Sequence, residues 1–406
     1  MKLTDKHSSE VSDMLNSYYT ENIIGLQDVI VKEIVETEEV VKIILEEELQ
    51  ESECPCCHSK TKRVHDYRSQ TVQDLPAFGR KVILVIRRRR YSCRCGKHFY
   101  RPLSFLPKYQ RRTQRTTLNI LKELAEVKSY SSVAKNYDLS KSTVIRIFDN
   151  ISYPKPKELP MALGIDEFKG NTGKSKYNAI LTDLENGKVI DILRTRNKVD
   201  LITYFKGYDR SKVKYLVSDM YGVYKEIAET FFPKATYIID RYHWVRQCIW
   251  AFETVRKDIQ KEVSKEFRIY FKHSRHILIK HAKKLKEEES DRVNVMLFAS
   301  PNLSNAYYLK EQLYAISEEH DISKRKYLLK QWIRDARDSE IPSFKRCAET
   351  YVRWFEPIVN SLNHPYSNGF TEGCNNKIKV LKRNAFGLSK FKRFRNRILY
   401  CMSREA

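Results

Sequence analysis

Two apolar stretches among the first hundred residues predict strands, and each leads into a closely spaced group of cysteines. The first, EEVVKIILEEEL at 38–49, comes shortly before ECPCC, and the second, RKVILVIRRRRYSC at 80–93, ends in CRC. Runs of aliphatic and β-branched residues of this length are typical of strands. We therefore expect two strands, each entering a cysteine knuckle.

The spacing of apolar positions becomes helical between residues 116 and 151. Apolar side chains recur every three or four residues, at Leu118, Leu121, Leu124, Val127, Val133, Ala134, Tyr137, Val144, Ile147 and Phe148. Ser131 and Ser140 are expected to cap two of the helices, because a serine hydroxyl can accept a hydrogen bond from the free amides of a first turn. These proportions predict a helix-turn-helix or, alternatively, an ordinary three-helix packing unit.

A helix-turn-helix would present the polar residues of its second helix to DNA. Here these residues are Lys141, Ser142, Thr143 and Arg146. A basic run just before the motif, from Lys108 to Arg115, favours DNA binding over simple packing. The Pro-rich stretch 152–160 then predicts a linker.

A third pattern follows the linker. Apolar runs and helical segments succeed one another in the order β-β-β-α-β-α-β-α, with a hairpin turn at Glu185, Asn186 and Gly187. This order predicts an α/β fold in which helices cover a mixed sheet.

Acidic residues interrupt two of these apolar runs. Asp166 lies in the first strand, within MALGIDEF, and Asp219 follows the fourth strand, within YLVSDMYG. If those strands are neighbours, the two carboxylates lie close together and repel each other unless a hard divalent cation such as Mg²⁺ binds them. The side chain of Glu167 is expected on the opposite face of the strand, so we do not count it as a ligand.

The charge of the chain favours a polyanionic partner. Its 406 residues include 75 Lys and Arg against 51 Asp and Glu, a net charge of +24. Such an excess most often indicates nucleic acid binding, although a protein that is merely basic is the alternative. The length predicts about two to four domains. We expect no membrane association and a cytosolic location, because no apolar run is long enough for a membrane span and the N-terminus is too polar for a signal peptide.

The clustered cysteines predict a metal site. A CxxC pair and a CxC pair supply four thiolates, which suit a closed tetrahedral zinc site in a zinc ribbon. The expected ligands are Cys54, Cys57, Cys93 and Cys95. Cys56, His58 or His98 could take part instead, and reduced cysteines without a metal are the alternative. The zinc would be structural and would fix strand ends that have little core of their own. The four scattered cysteines, Cys248, Cys347, Cys374 and Cys401, are expected to be structural.

A third acid follows far downstream, in HPYSNGFTEGCNNKIKVLKR at 364–383. Ser367 or Asn368 is expected to cap a helix, with Glu372 near its start and Asn376 on the same face. Basic residues follow along this helix, at Lys377, Lys379, Lys382 and Arg383. Taken alone, Glu372 would be a solvated helix acid; beside the two aspartates, it fits a metal ligand next to a phosphate-binding track.

These stretches together resemble the DDE transposases of the bacterial ISL3 insertion-sequence family. The resemblance rests on CPCC with CRCGKHF, the helix-turn-helix, GIDEFKG, VSDMYGVY, IIDRYHWVRQ and SNGFTEGCNNKIKVLKRNAFGL, in family order. It implies a ribonuclease H-like catalytic core that an α-helical insertion interrupts. The implied domains are a zinc ribbon region at 1–107, a helix-turn-helix domain at 108–155, the core at 160–244, the insertion at 245–360, and the core's Glu-bearing helix with a basic tail at 361–406.

The resemblance also implies a reaction. Asp166, Asp219 and Glu372 would form the catalytic triad and hold two Mg²⁺ ions, for which Mn²⁺ can substitute. His243, in the pattern Asp240-x-x-His243, would contact DNA or the acidic site, unless it is an ordinary packed or solvent-facing histidine. The partners would be double-stranded DNA, as terminal inverted repeats and target, and further copies of the chain in a homo-oligomer on DNA. The location would be the bacterial cytoplasm, at the nucleoid. An inactive DNA-binding regulator and a ribonuclease H-like nuclease are the alternatives.

Overall fold

The computed structural model describes residues 24–170, 175–271, 273–384, 388 and 390–403. The chain divides into two compact units, residues 1–152 with 383–386, and residues 153–382 with 387–406. Residues 1–23 of the predicted N-terminal region lie outside the described part. Among the described residues, no helix is both long enough and apolar enough to cross a membrane.

The first unit contains a five-stranded sheet to which both predicted strands belong. The strands of this unit are β1 (Val29–Glu36), β2 (Val40–Glu47), β3 (Ser52–Glu53), β4 (Lys60–Thr61), β5 (Val64–Gln73), β6 (Lys81–Ser92) and β7 (His98–Tyr100). The sheet order is β1-β2-β6-β5, with β7 also paired to β6, while β3 and β4 pair only with each other. The predicted strands at 38–49 and 80–93 are confirmed as β2 and β6, which run parallel.

This sheet has an apolar core of its own, whereas the strand ends at the cysteine knuckles have only a small separate cluster of Cys54, Tyr91, Cys93 and Phe99. The two central strands bury alternate residues: Val41, Ile43, Leu45, Val82, Leu84 and Ile86. Alternate residues of a strand point to one face, so both strands present an apolar row to the same side. Leu103 and Leu106 pack against that row. Apolar burial therefore holds the sheet together independently of any metal.

Three helices follow: α1 (Gln114–Ala125), α2 (Tyr130–Asn136) and α3 (Lys141–Asp149). Ser140 caps α3 as predicted, but Ser129, and not Ser131, caps α2, because its side chain accepts from the Ser132 amide. Ser131 lies inside α2.

The predicted apolar face of α1 is confirmed at Leu124 but not at Leu118 or Val127. Its buried residues are Thr116, Ile120 and Leu124, whereas Leu118 is 55% exposed. Val127 lies beyond the end of the helix with a φ of 64°. The hydroxyl of Thr113 caps α1, and it also contacts the Thr116 hydroxyl, which turns the Thr116 face inward.

The second unit contains another five-stranded sheet. Its strands are β8 (Ala162–Lys169), β9 (Tyr177–Asp183), β10 (Lys188–Leu193), β11 (Tyr215–Ser218) and β12 (Thr236–Ile239), with α4 (Lys198–Phe205) before β11 and α5 (Gly222–Phe231) before β12. The order is β10-β9-β8-β11-β12, with β8, β11 and β12 parallel and the first three strands antiparallel. The predicted mixed α/β arrangement is confirmed.

A long helical segment follows β12. Its helices are α6 (Arg241–Glu262), α7 (Lys265–Phe271), α8 (Arg275–Leu278), α9 (Glu287–Phe298), α10 (Pro301–Glu318), α11 (Ile322–Asp338), α12 (Pro342–Arg353) and α13 (Phe355–Asn363). They share one apolar core with the sheet; α6 contributes Trp244, Cys248 and Phe252 to it. The scattered cysteines, including Cys248, are all buried.

The chain then returns to the sheet through α14 (Gly369–Asn384) and ends with α15 (Phe391–Met402). The hydroxyls of Thr371 on α14 and Thr182 on β9 lie 2.8 Å apart. A Cβ on Gly164 would lie 2.3 Å from the Thr182 hydroxyl oxygen, nearer than side-chain carbons approach. Glycine at this position of β8 therefore leaves room for the bond that docks α14 beside the acidic end of the sheet.

Candidate functional site

Asp166 is a buried acid of β8 whose carboxylate accepts two hydrogen bonds. Its Oδ1 accepts from the Glu167 amide at 2.7 Å, and its Oδ2 accepts from the Asn375 side chain of α14 at 2.9 Å. Apolar neighbours such as Ile165 bury the strand on both sides. Neither bond supplies a positive charge, so the structure does not neutralise this carboxylate if it ionises.

Asp219 meets Asp166 at the end of the neighbouring strand. β11 pairs with β8 in parallel, so the carboxyl end of β11 reaches the part of β8 that carries the acids. Carboxylate oxygens of Asp166, Glu167 and Asp219 all lie within 4.8 Å of one another. The structure thus brings together the two aspartates that the sequence singled out.

Glu167 also belongs to this group, although the sequence analysis excluded it. Its carboxylate pairs with Arg196 and accepts a 3.0 Å bond from the Tyr224 hydroxyl. Alternation along a strand sets the direction of the Cβ atoms but not how far a long side chain reaches, and β11 ends at Ser218, so Asp219 is not confined to one face of the sheet. Glu167 therefore lies within reach of any ion that Asp219 holds.

Burial and mutual repulsion make both aspartates reluctant to ionise. Burial, together with the charges of Asp219, Glu167 and Glu372, raises the pKa of Asp166 to about 8. Burial and the charge of Glu167 raise the pKa of Asp219 to about 7, against the lowering influence of Arg196 and Arg246. A cation between these carboxylates would relieve the repulsion.

The magnesium-free protein should lose stability as pH rises from about 4 to about 8 because of these groups. In the unfolded chain such acids ionise near pH 3.9, so over this window the folded state binds more protons, and linkage then lowers its stability as pH rises. Urea unfolding in zinc-replete, magnesium-free buffer at several pH values measures this. The stability gained by Asp166→Asn should grow with pH, whereas Glu185→Gln, in the exposed β9–β10 turn, should change little. A gain that is constant with pH would contradict the assigned shift.

Glu372 lies in the same cleft but belongs to a second cluster of possible ligands. Ligand atoms of Asp240, His243 and Glu372 all lie within 4.8 Å of one another. Burial and the charge of Asp240 raise the pKa of Glu372. The expected compact group of Asp166, Asp219 and Glu372 is therefore split here between two adjoining clusters. The charge of Glu372 nevertheless raises the pKa of Asp166, so the clusters are close enough to interact.

The start of α14 is fixed by residues around Glu372. The Asn368 carbonyl accepts from the Glu372 amide at 2.8 Å, as expected at a helix start, and the Asn368 amide donates to Asp240 at 3.0 Å. The Asn368 side chain bonds the Ile165 carbonyl of β8 at 3.3 Å. Burial lowers the pKa of His243, which favours the neutral imidazole. A neutral imidazole can both donate and accept a hydrogen bond.

Asn375 is a functional residue that the sequence analysis missed. Its side-chain amide donates to Asp166 and, at 3.4 Å, to the Glu167 carbonyl. The sequence analysis selected its neighbour Asn376, which is exposed. Positions three apart on a helix share a face, so the spacing from Glu372 to Asn375 was the available signal.

The predicted DNA-binding lysines of α14 divide into two sets. Lys379 and Lys382 line the cleft with the acids. Lys377 instead donates to the Cys401 carbonyl at the end of α15 at 3.0 Å. A positive charge at this position stabilises the C-terminus of that helix. Arg383 is exposed.

The predicted zinc ligands also converge. Sulfur atoms of Cys54, Cys57, Cys93 and Cys95 all lie within 4.8 Å of one another. The separations of Cys54 from Cys95 and of Cys57 from Cys93 are 3.7 and 3.4 Å. A tetrahedral site with Zn–S bonds of about 2.3 Å requires sulfurs about 3.8 Å apart, so the residues fit zinc. A hydrogen bond from Ser59 lowers the pKa of Cys93 to about 6, which favours the thiolate.

The alternative zinc ligands face elsewhere. Cys56 is exposed and lies outside this cluster, and His58 pairs with Glu53 at 2.6 Å. The His98 ring packs edge-on against His65, with centroids 4.1 Å apart. The geometry therefore favours the four expected cysteines.

The second helix of the helix-turn-helix presents its polar face as expected. Lys141, Ser142 and Arg146 are exposed on α3, and Thr143 is half-buried because it bonds the Ser140 cap. Burial and the nearby charge of Arg146 lower the pKa of Arg112, so these two cations are neighbours. Such a pair suits an added phosphate.

Three known families match successive parts of the chain. The family described as "Transposase", of the ISL3 type, matches residues 163–398. The "zinc-finger of transposase IS204/IS1001/IS1096/IS1165" matches 50–96, and the "Helix-turn-helix domain of transposase family ISL3" matches 101–152. The predicted zinc ribbon and helix-turn-helix are thereby confirmed.

Two individual relatives are named as transposases, and a third has a different name. The transposase for insertion sequence element IS1001 of Bordetella parapertussis is 26% identical over 349 residues, which cover 82% of this chain and 84% of that protein. The transposase for insertion sequence element IS1557 of Mycobacterium tuberculosis is 24% identical over 252 residues, 55% of this chain and 56% of that protein. A Lactococcus lactis protein named ATP-dependent protease is 35% identical over 113 residues, only 27% of this chain and 34% of that protein. Since the first family match spans more than half of the residues, the chain belongs to the ISL3 family of transposases.

Proposed function

We propose that this chain cuts DNA at the ends of an insertion sequence and joins the freed ends to a target, with divalent cations held by buried acids. One observation supports this most: Asp166, Asp219, Glu372, Lys379 and Lys382 line a single cleft of about 770 Å³. Acids at its floor suit cations, and lysines along its wall suit backbone phosphates. Metal-assisted cleavage of a phosphodiester uses both.

Divalent cations fit the donors of this cleft. Its acids supply hard oxygen atoms. Burial and the neighbouring acids raise the pKa of Asp166 to about 8, and a cation bound here would favour the ionised form. Asp166, Asp219 and Glu372 would hold two Mg²⁺ ions. Bound ions would lower the pKa of an attacking water or 3′-hydroxyl and neutralise charge on the leaving oxygen.

Residues around the acids would hold them in place. The Glu167 amide and Asn375 each donate to one oxygen of Asp166 and so orient the carboxylate, whose remaining lone pairs could bind an ion. Arg196 and Tyr224 hold Glu167 so that its charge adds to that of Asp219. His243, neutral beside Glu372, would bond DNA or a bound water.

The mixed sheet of the second unit would be a ribonuclease H-like core. Its order β10-β9-β8-β11-β12 supports this assignment, because the acids then fall at the carboxyl end of parallel neighbours. We retain the domain limits proposed from the sequence: 1–107, 108–155, 160–244, 245–360 and 361–406. The zinc ribbon and the helix-turn-helix would bind the terminal inverted repeats, and copies of the chain would assemble on DNA.

A strand-transfer assay tests this function. The substrate is a pre-nicked duplex taken from the DNA end that brackets the gene, with Mg²⁺ and a target plasmid. The proposal predicts joined products. Cleavage without joining would indicate a nuclease, and end binding without cleavage would indicate a regulator. Either result would contradict strand transfer.

Arg146→Ala should weaken binding to the element's ends by about tenfold while cleavage of unspecific DNA in Mn²⁺ persists. The reason is the exposed position of Arg146 on the recognition helix, where one base contact contributes about 1–3 kcal/mol. Competition binding measures it. Arg292→Ala, which removes an equally exposed charge from α9, is the control. Equal losses in both variants would mean that Arg146 supplies only general charge.

A further inference from the structure

One face of α6 exposes two aromatic rings with an arginine between them. Tyr242, Arg246 and Trp250 are spaced four residues apart, so they share a face and span about 12 Å of helix. The rings are 55% and 51% exposed. The Arg246 guanidinium lies 5.2 Å from the centroid of Tyr242 and 4.4 Å from that of Trp250.

This row begins at the acids. Tyr242 and Arg246 line the same cleft as Asp166, Asp219 and Glu372. The charge of Arg246 lowers the pKa of both Asp219 and Glu372, against the raising effect of burial, so the guanidinium is close to both acidic clusters. Trp250 lies two turns further along the helix, away from the start of the cleft.

The packing of α6 does not require this row. The helix is anchored by other residues, among them Trp244, Cys248 and Phe252, which are fully buried. Arg246 covers part of each ring, and the rest of the surface of Tyr242 and Trp250 is accessible to solvent. The row therefore has exposed aromatic surface that the packing of the helix does not use.

We propose that Tyr242, Arg246 and Trp250 form a stacking platform for unpaired nucleobases beside the phosphodiester that is cut. The inference rests on the proposed function and adds the form of the DNA: a strand whose bases near the cleavage point are unstacked from the duplex. Aromatic rings bind any base by stacking, and arginine adds a cation–π contribution. The 12 Å span corresponds to roughly three bases at about 3.4 Å each.

Paired duplex DNA could not use the platform in the same way. Its base faces are covered by neighbouring bases, so only Arg246 would contribute, through a phosphate. The platform therefore predicts a preference for DNA with an unpaired end over the same strand fully paired. That preference should depend on the two rings more than on net charge.

Fluorescence binding with full-length, zinc-replete protein in magnesium-free buffer tests this. The probe is a duplex with a short unpaired overhang that carries 2-aminopurine, and the matched probe has the same strand fully paired. We expect wild-type protein to prefer the overhang and to quench its fluorescence. Trp250→Ala and Tyr242→Ala should each weaken overhang binding about tenfold, which is ~1.4 kcal/mol, with duplex binding unchanged. Trp250→Phe should restore most of the preference.

Tyr327→Ala is the matched control, because this tyrosine is 60% exposed on α11 and lies outside the residues that line the cleft. Equal weakening on both probes, or an unchanged preference in the alanine variants, would overturn the platform. Failure of the platform can be distinguished from failure of the proposed function. A wild type that cuts DNA in Mg²⁺ without preferring the overhang overturns only the platform. A wild type that prefers the overhang but never cuts overturns only the chemistry.

Discussion

Asp166→Asn should reduce DNA cleavage and strand transfer by about 10³-fold or more. The substitution keeps the shape but removes the negative charge that would hold the cations, and the single carbonyl oxygen of the new side chain can accept from only one of the two donors, the Glu167 amide or the Asn375 side chain. Loss of several kcal/mol of transition-state stabilisation gives a rate effect of this size. DNA binding should persist or tighten, because a negative group near phosphates is gone. The measurement is strand transfer from a pre-nicked element end in Mg²⁺, with binding measured on the same DNA.

Glu167→Gln is the matched comparison for that result. Glu167 lies within reach of Asp219, so its loss should lower activity, but less than the loss of Asp166, because Arg196 and Tyr224 already engage its carboxylate. The reverse order, with Asp166→Asn near wild type and Glu167→Gln inactive, would mean that the triad must be rebuilt around Glu167.

Cys93→Ser should abolish zinc binding. We expect about one zinc per chain in wild type, and zinc sites of this kind contribute on the order of 10 kcal/mol to local folding. Because β2 and β6 have an apolar core, we expect new protease cleavage around the knuckles, while the sheet remains folded. Metal analysis and limited proteolysis measure the two effects.

Cys56→Ser provides the control for the zinc site, since Cys56 is exposed and lies outside the four-sulfur cluster. It should keep its zinc and its protease resistance. Loss of zinc from this variant would place Cys56 among the ligands. Full zinc content in Cys93→Ser would remove Cys93 from them.

The parts of the site that could be predicted follow from local rules. The strand order put Asp166 beside Asp219, because parallel neighbours bring their carboxyl ends together. The cysteine spacing predicted a cluster that the structure contains. Both predictions needed only sequence pattern and the geometry of one or two adjacent elements.

The parts that could not be predicted depend on distant packing or on strand ends. Glu372 returns to the cleft after a long helical segment. Only the fold shows that it lies in a cluster with Asp240 and His243, and not in the cluster that contains Asp219. Glu167 was misjudged because alternation along β8 says nothing about where Asp219 turns after its strand ends. The strand β5 (VHDYRSQTVQ) is too polar to signal a strand, so the sheet and core of the first unit were missed.

An anomalous difference map from Mn²⁺-soaked crystals shows whether the acidic cleft holds divalent cations. We expect a manganese peak within about 2.5 Å of carboxylate oxygens of both Asp166 and Asp219, and loss of that peak in Asp166→Asn crystals. A cleft without manganese in wild-type crystals that bind it elsewhere would mean that these acids do not hold divalent cations.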